Sequence, residues 1–431
     1  NLRLPGMFSR TNHLIQEKGI NNDLALRIND TRVRLKDIFS QDLYDAKSIK
    51  EEKLQKTLAH DLKAVCEFIS AVCNTELPLS LRASFPTSKI STTKGKSKKE
   101  SVRVMVQSWD DEYIHAIEDS SDCKTLKICY SHNNKYLKGG DWSYLSKLLK
   151  QNCQLNLVAV REKEGILLPE LIVVEPDILI DVSSVAACME HYGDSPYSHL
   201  LNRLRPNEHT EHTILGNLAS ALLDNALQED QKSYKECATE FFRRNAIQIT
   251  TTPLGIDFHT SGQQQKANIE NLLTDSEKGE VTFDKQKLMV EPTFFCEMLG
   301  LQGRMDLLSL DYSLLLEQKS GKGAFMPSSD PTIPIAQEKH YAQMILYMAI
   351  LHYNFAQKNA NAYLLYSKYP KGLLGLGPAP ELLYRAMRLR NQLAWMERQS
   401  AEEGFLRNIL ENLTPDRLNV NKTTGTLWER Y

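Results

Sequence analysis

The amino-acid pattern predicts an α/β protein. Helical stretches open the chain, short β-rich pieces occupy its middle, and the second half returns to helices interrupted by a β-meander. Helix, sheet, helix, helix in that order builds a sheet with helices on its faces, not a helix bundle.

With 431 residues the chain can bury more than one core. We expect an N-terminal helical region over 1–95, a small β-barrel over 96–180 and an α/β domain over 181–431. Hydrophobic residues at 42% and charged ones at 25% are ordinary for a globular chain. No stretch approaches the roughly 18 apolar residues of a membrane span, so no membrane partner is expected. The start, Asn1-Leu2-Arg3, has neither Met nor a secretory apolar run and reads as a trimmed terminus. Eight cysteines, sparse and irregular, read as reduced thiols of an intracellular protein. The expected location is the cytoplasm, nucleoid-associated in a bacterium, or the nucleus in a eukaryote. A net charge of −2 excludes a globally basic, histone-like binder, but not an enzyme that confines positive charge to one channel. No Walker A pattern occurs: Gly321-Lys322-Gly323 lacks its spacing and its closing Lys-Ser/Thr. No internal repeat is visible at solenoid spacing.

Each element has its own signal. Leu54, Leu58, Leu62, Val65, Phe68 and Ile69 recur at helical spacing and predict a helix over about 48–72. The run Lys94-Gly95-Lys96-Ser97-Lys98-Lys99 reads as a solvated loop. From Val102 to Ile180 the β-rich pieces 102–106, 126–130, 155–160 and 171–174 are separated by turn-rich stretches, with a helical piece near 145–149. Several short strands so spaced suggest a small barrel, for which an OB-like one fits among others. Tyr130, Tyr136, Trp142 and Tyr144 are then either stacking platforms for single strands or core anchors. Beyond Asp181, Ile214, Leu215, Leu218, Leu222 and Leu223 mark an amphipathic helix. Further helices are expected over about 232–245, 335–357 and 380–398.

The window 291–319 carries the chemistry. It divides into strands over about 293–298, 302–310 and 314–319, the first two joined by a Gly-containing turn. Asp306 then lies on the second strand, and Glu317 and Lys319 on the third. A period of two puts Glu317 and Lys319 on one face and turns Gln318 away. Neighbouring strands lie about 4.8 Å apart, so Asp306 can reach the same point. Carboxylate oxygens are the hard ligands that Mg²⁺ or Mn²⁺ prefers, and the Gln318 carbonyl is a further candidate ligand. Lys319 beside them can hold a water and neutralise a phosphate. The bland alternative is a surface ion pair. The apolar Leu314-Leu315-Leu316 just before it makes an unused charge pair costly there.

Asp306…Glu317-x-Lys319 resembles the PD-(D/E)XK nuclease motif, with Met305 where the motif's proline often stands. His340-Tyr-Ala-Gln343-Met-Ile-Leu-Tyr347 resembles the Gln-xxx-Tyr motif of its RecB-like branch. Gln343 and Tyr347 are four apart and share a helix face. The resemblance implies a mixed sheet flanked by helices, a catalytic set of Asp306, Glu317, Lys319, Gln343 and Tyr347, and a metal held by Asp306, Glu317 and Gln318. Over about 150–400 it extends to nuclease–helicases that process Okazaki-fragment flaps, through Val174 to Ile180, Ser183 to Cys188, Leu364-Leu365-Tyr366 and Leu389 to Ala394. The implied partners are single-stranded or flap DNA and a superfamily 1 helicase module, in the same gene or separate. His340, Arg304, Lys322, Arg390 and Asn391 are candidate DNA contacts. Two departures stand out. Cys188 matches the first cysteine of the family's iron–sulfur site, but no cysteine follows Cys296, so no cluster is expected. Gly216 leads to Ser220 where the family has a metal-binding histidine, and His209 and His212 are out of register. The competing readings are a degenerate nuclease fold that only binds DNA or a partner, and a dimeric restriction-type endonuclease.

Overall fold

The computed structural model describes residues 7–41, 51–78, 81, 85, 101–120, 123–189, 194–204, 209–275, 285–325, 330, 332–355 and 360–412. The basic run at 94–99 lies outside them. The protein is mixed α/β, with mixed sheets flanked by helices. It packs into two compact units, Asn1–Leu179 with Glu297–Gly300, and Ile180–Cys296 with Leu301–Tyr431. No described helix is long and apolar enough to cross a membrane.

The first unit opens with helices α1 (Met7–Glu17), α2 (Asn22–Gln41) and α3 (Glu51–Cys73). Helix α3 forms where its spacing predicts, but the residues that marked it are not all on its buried face. Leu58, Leu62 and Ile69 are exposed, whereas Asp61 is buried and accepts from Thr31 Oγ1 of α2 at 2.9 Å. A seven-stranded sheet follows: β1 (Ser101–Trp109), β2 (Tyr113–Glu118), β3 (Thr125–Cys129), β4 (Gln154–Val158), β5 (Arg161–Lys163), β6 (Ile166–Leu168) and β7 (Leu171–Val174). Their order is β5-β6-β3-β2-β1-β4-β7, with β3 and β6 parallel and the other neighbours antiparallel. The pairing is an open ladder and closes no barrel. Of the four candidate platforms, Tyr130 and Trp142 are buried anchors. Trp142 Nε1 donates to Lys138 O at 2.7 Å. Tyr136 is exposed beneath the Arg161 guanidinium, and Tyr144 is half-buried.

In the second unit come β8 (Ile180–Asp181), α4 (Val182–Ala187), α5 (Tyr197–Leu204), α6 (Glu211–Leu227), α7 (Tyr234–Arg244), α8 (Ala246–Thr251) and α9 (Phe258–Asp275). Next are β9 (Leu288–Val290), β10 (Thr293–Cys296), β11 (Leu301–Arg304), β12 (Leu307–Ser309) and β13 (Leu314–Lys319). The chain then continues through α10 (Glu338–Phe355), β14 (Asn361–Tyr366), β15 (Leu373–Leu376), α11 (Pro380–Ser400) and α12 (Phe405–Asn412). The helix starts follow local capping. Thr210 accepts from Thr213 N–H before α6, and Ser233 with Glu236 forms a capping box on α7. Helix α10 starts later than its apolar pattern suggests because Ile335 bridges to Ala324 through N–H···O bonds of 2.7 and 3.0 Å.

Strands β15-β14-β13-β12-β9 form one sheet and β10-β11-β8 another. Central strand β13 alternates as its sequence predicts. Leu316 joins the core with Leu218 and Leu222 of α6, and Gln318 Nε2 donates to Ala219 O of the same helix at 3.2 Å. Glu317 instead meets α10 on the opposite face, where Gln343 contacts it. The sheet is therefore covered on both sides at β13, and Glu317 sits in the interior with the half-buried Lys319 beside it.

One glycine is needed for this packing. A Cβ on Gly303 of β11 would lie 2.7 Å from the Tyr347 ring and 3.3 Å from Val182. Gly303→Ala should destabilise the fold by about 1–3 kcal/mol and displace Tyr347. Chemical denaturation measures the first effect, and loss of Tyr347's solvent protection reports the second.

Candidate active site

The hairpin carrying Asp306 is broken, not continuous. The sequence predicted one strand over 302–310, but β11 ends at Arg304 and β12 resumes at Leu307, leaving Met305 and Asp306 between them. The cause lies on the facing strand. Glu291 takes a left-handed φ of 50°, and Pro292 has no N–H to give to the ladder. Across the break, Glu291 N–H donates to Asp306 O at 2.9 Å and Met305 N–H to Pro292 O at 3.0 Å. The chain changes sheets here, and Asp306 is left with its side chain beside β13. Its Oδ2 accepts from the Gln318 N–H at 2.6 Å.

Glu317 is 4% exposed. Its Oε1 accepts from Lys319 Nζ at 2.8 Å and from Gln343 Nε2 at 2.7 Å, while its Oε2 is buried with no hydrogen-bond partner. Burial pushes its carboxyl up to about 7, with Lys319 opposing and Asp306 reinforcing. Burial likewise raises Asp306, against the Gln318 N–H and the Lys319 charge. Gln343 Nε2 also donates to Tyr347 Oη at 3.1 Å, and Tyr347 Oη donates to Arg304 O at 2.7 Å. That bond fastens α10 to the strand leading into Asp306. Burial beside Glu317 raises the Tyr347 phenol above its ordinary value. Lys319, Glu317, Gln343 and Tyr347 thus form one hydrogen-bonded cluster, with Asp306 held next to it by the Gln318 N–H.

The remaining candidates are placed differently. His340 and Lys322 line a cavity of about 350 Å³ next to Lys319, together with Ser220, Ser320 and Lys339. Burial, then the charges of Lys319 and Lys339, push His340 down to about 3, so it is neutral. Arg304 is exposed and pairs with Glu291 at 3.1 Å. Arg390 and Asn391, expected to touch DNA, are both fully buried in α11, and Arg390 Nη1 contacts Asn391 Oδ1 at 3.4 Å. They are internal structure, because the apolar residues around them on α11 turn that face inward. Cys188 is buried, its Sγ donating to Ser184 O. His209 and His212 are exposed at the start of α6.

Sequence reasoning missed one acid. Asp224 is half-buried on α6, and its carboxyl is raised by burial and then by the negative charges of Glu291 and Asp306. The signal was present: Gly216, Ser220 and Asp224 follow one another at a spacing of four along one helix face. It also missed Tyr366, whose Oη lies 2.8 Å from His340 Nδ1.

The donors present suit a hard divalent cation. Glu317 is a buried carboxyl and Asp306 a half-buried one, and Glu317 Oε2 lacks any partner in the protein. A residue in an extended strand sends its N–H and C=O toward the same neighbour, so the Gln318 carbonyl faces the Asp306 side as its N–H does. Among the described residues no three His, Cys, Asp or Glu side chains form a ready cage. Two carboxylates, a carbonyl and waters are nonetheless a set that Mg²⁺ accepts.

No known family model matches the chain, and no curated protein matches it.

Proposed function

We propose that the protein is a metal-dependent nuclease of the RecB-like PD-(D/E)XK type, hydrolysing phosphodiester bonds of single-stranded or flap DNA. The observation that carries this reading is the buried Glu317 carboxyl, whose Oε1 is saturated by two donors and whose Oε2 has none. A buried carboxyl oxygen left without a donor costs free energy that a bound ligand would recover.

Asp306, Glu317 and the Gln318 carbonyl would hold Mg²⁺ or Mn²⁺. When bound, such an ion lowers the pKa of water and neutralises charge on a phosphate. The chain's own side chains have defined tasks. Gln343 and Lys319 pin Glu317 Oε1, so that Oε2 is the oxygen left for the cation. Tyr347 holds α10 against the Arg304 carbonyl, keeping Gln343 in reach of Glu317. Lys319, one of the residues lining the cavity, would donate through Nζ to a phosphate oxygen or to a water beside it.

An OB-like role for the first unit belongs to the same proposal. Only Pro169 and Glu170 separate β6 from β7, which pair on opposite sides of the ladder. Read as one bent strand, they would bring its sides together. A superfamily 1 helicase is the proposed partner, supplying the single strand.

The test is cleavage of single-stranded DNA labelled at either end, with Mg²⁺, Mn²⁺ or EDTA. Metal-dependent products are expected. Tight binding without cleavage in either metal would instead favour a degenerate fold that only binds DNA.

A further inference from the structure

Lys319 ends β13, at a point where the sheet supports that strand from one side. The ladder to β12 pairs Leu315 and Leu316 and, among the described residues, goes no further, because β12 begins at Leu307 after the break at Asp306. The ladder to β14 runs on through Lys319, opposite Tyr366. Its closing bond is donated by the Ser367 N–H to Lys319 O at 3.0 Å. The backbone from which the ammonium group projects therefore leans on β14, and on whatever fixes that strand's end.

Ser367 is fixed from α9. It is fully buried, and on that helix Gln265 is 2% exposed and Asn268 1%. Ser367 Oγ donates to Gln265 Oε1 at 2.7 Å, and Asn268 Nδ2 donates to Ser367 O at 2.9 Å. Gln264 Nε2 in turn donates to Asn268 Oδ1 at 3.1 Å. Ser367, Gln265 and Asn268 leave no buried side-chain nitrogen or oxygen without a partner. Ile269, next to Asn268, joins the apolar core with Leu316 and Leu365, so α9 meets both strands here. A satisfied buried network holds one geometry, because displacement leaves an amide or hydroxyl unpaired at a cost. Here that geometry is imposed on the residue bonded to Lys319.

We infer that Ser367, held by Gln265 and Asn268, is a positioning residue for Lys319. It sets the backbone from which Nζ reaches Glu317 Oε1 at 2.8 Å. Its consequence for cleavage rests on the nuclease reading; the placement of Lys319 does not.

The experiment has two arms, both on the full chain. In EDTA, the ammonium signals of isotope-labelled lysines are recorded by magnetic resonance, that of Lys319 being the one absent from Lys319→Ala. Ser367→Ala should shift or broaden this signal. Ser313→Ala, just before the opposite end of β13, should leave it in place. With Mg²⁺ and single-stranded DNA, Ser367→Ala should slow single-turnover cleavage by about tenfold to a hundredfold, with DNA affinity unchanged. In a Lys319→Ala background it should slow the residual cleavage by no more than about twofold, while lowering the unfolding temperature equally in both backgrounds. An unmoved Lys319 signal in Ser367→Ala, or the same fractional loss of cleavage with and without Lys319, would overturn the inference. A moved signal in a chain that cuts no DNA leaves the positioning of Lys319 standing and removes the nuclease reading. Parental cleavage by Ser367→Ala, with the Lys319 signal in place, does the reverse.

Discussion

Asp306→Asn is expected to lower metal-dependent cleavage by about a thousandfold or more while leaving the protein folded and, without metal, more stable. The amide oxygen can still accept the Gln318 N–H that Asp306 Oδ2 now accepts. What disappears is a half-buried acid. Burial raises the Asp306 carboxyl above its ordinary value, so its contribution to stability is present at low pH and lost as pH rises through the folded-state value. The charged form therefore opposes folding, and the uncharged amide removes that opposition. Lys319→Ala should match the loss of cleavage but not the gain in stability. It leaves Glu317 Oε1 with Gln343 as its remaining donor and takes away the charge that favours ionised Glu317. Single-turnover cleavage and thermal unfolding in EDTA measure the two effects. Cleavage by Asp306→Asn within a few-fold of the parent would remove the proposed metal site from the proposed mechanism.

Magnesium binding is expected to be coupled to release of a proton from Glu317. The Glu317 carboxyl lies at about 7 in the folded protein against 4.5 for the free group. A raised acid contributes stability that is full below the unfolded value and disappears as pH climbs through the folded one. In EDTA, then, stability should fall by about 3 kcal/mol between roughly pH 4.5 and 7 and change little above that from this group. A cation favours the ionised form, so apparent Mg²⁺ affinity should rise about tenfold per pH unit below 7 and level off above it. The shift in unfolding temperature on adding Mg²⁺ should accordingly be large at pH 8 and small at pH 5.5. Glu317→Gln should flatten both dependences. An equal Mg²⁺ shift at the two pH values would refute the coupling.

The legible parts of this protein are those written within single elements. Strand β13 spans the residues its pattern predicted, with Gln318 turned from Glu317 and Lys319, because alternation along a strand needs no partner to be read. Gln343 and Tyr347 share a face of α10 for the same reason at helical spacing. What stayed illegible has a common form. Leu58, Leu62 and Ile69 recur at helical spacing and marked the helix, yet α2 meets the polar Asp61 side of α3. Arg390 and Asn391 look like contacts for DNA, yet α11 turns them inward. In each case the outcome depends on which neighbour arrives, not on the residue's own sequence surroundings.

The carboxylates show where that division falls. The order of residues alone determined that Glu317 and Lys319 share a face and that Asp306 stands one strand away. It could not decide that Asp306 occupies a break, because the cause, Glu291 and Pro292, lies on the facing strand. Nor could it decide that Glu317 is buried with Oε2 bare, since that needs α6 and α10 to close over opposite faces of one sheet. Periodicity is a property of neighbouring residues, whereas desolvation is set by everything that packs around a group. Only the tertiary structure could leave one of these two acids buried with an oxygen bare.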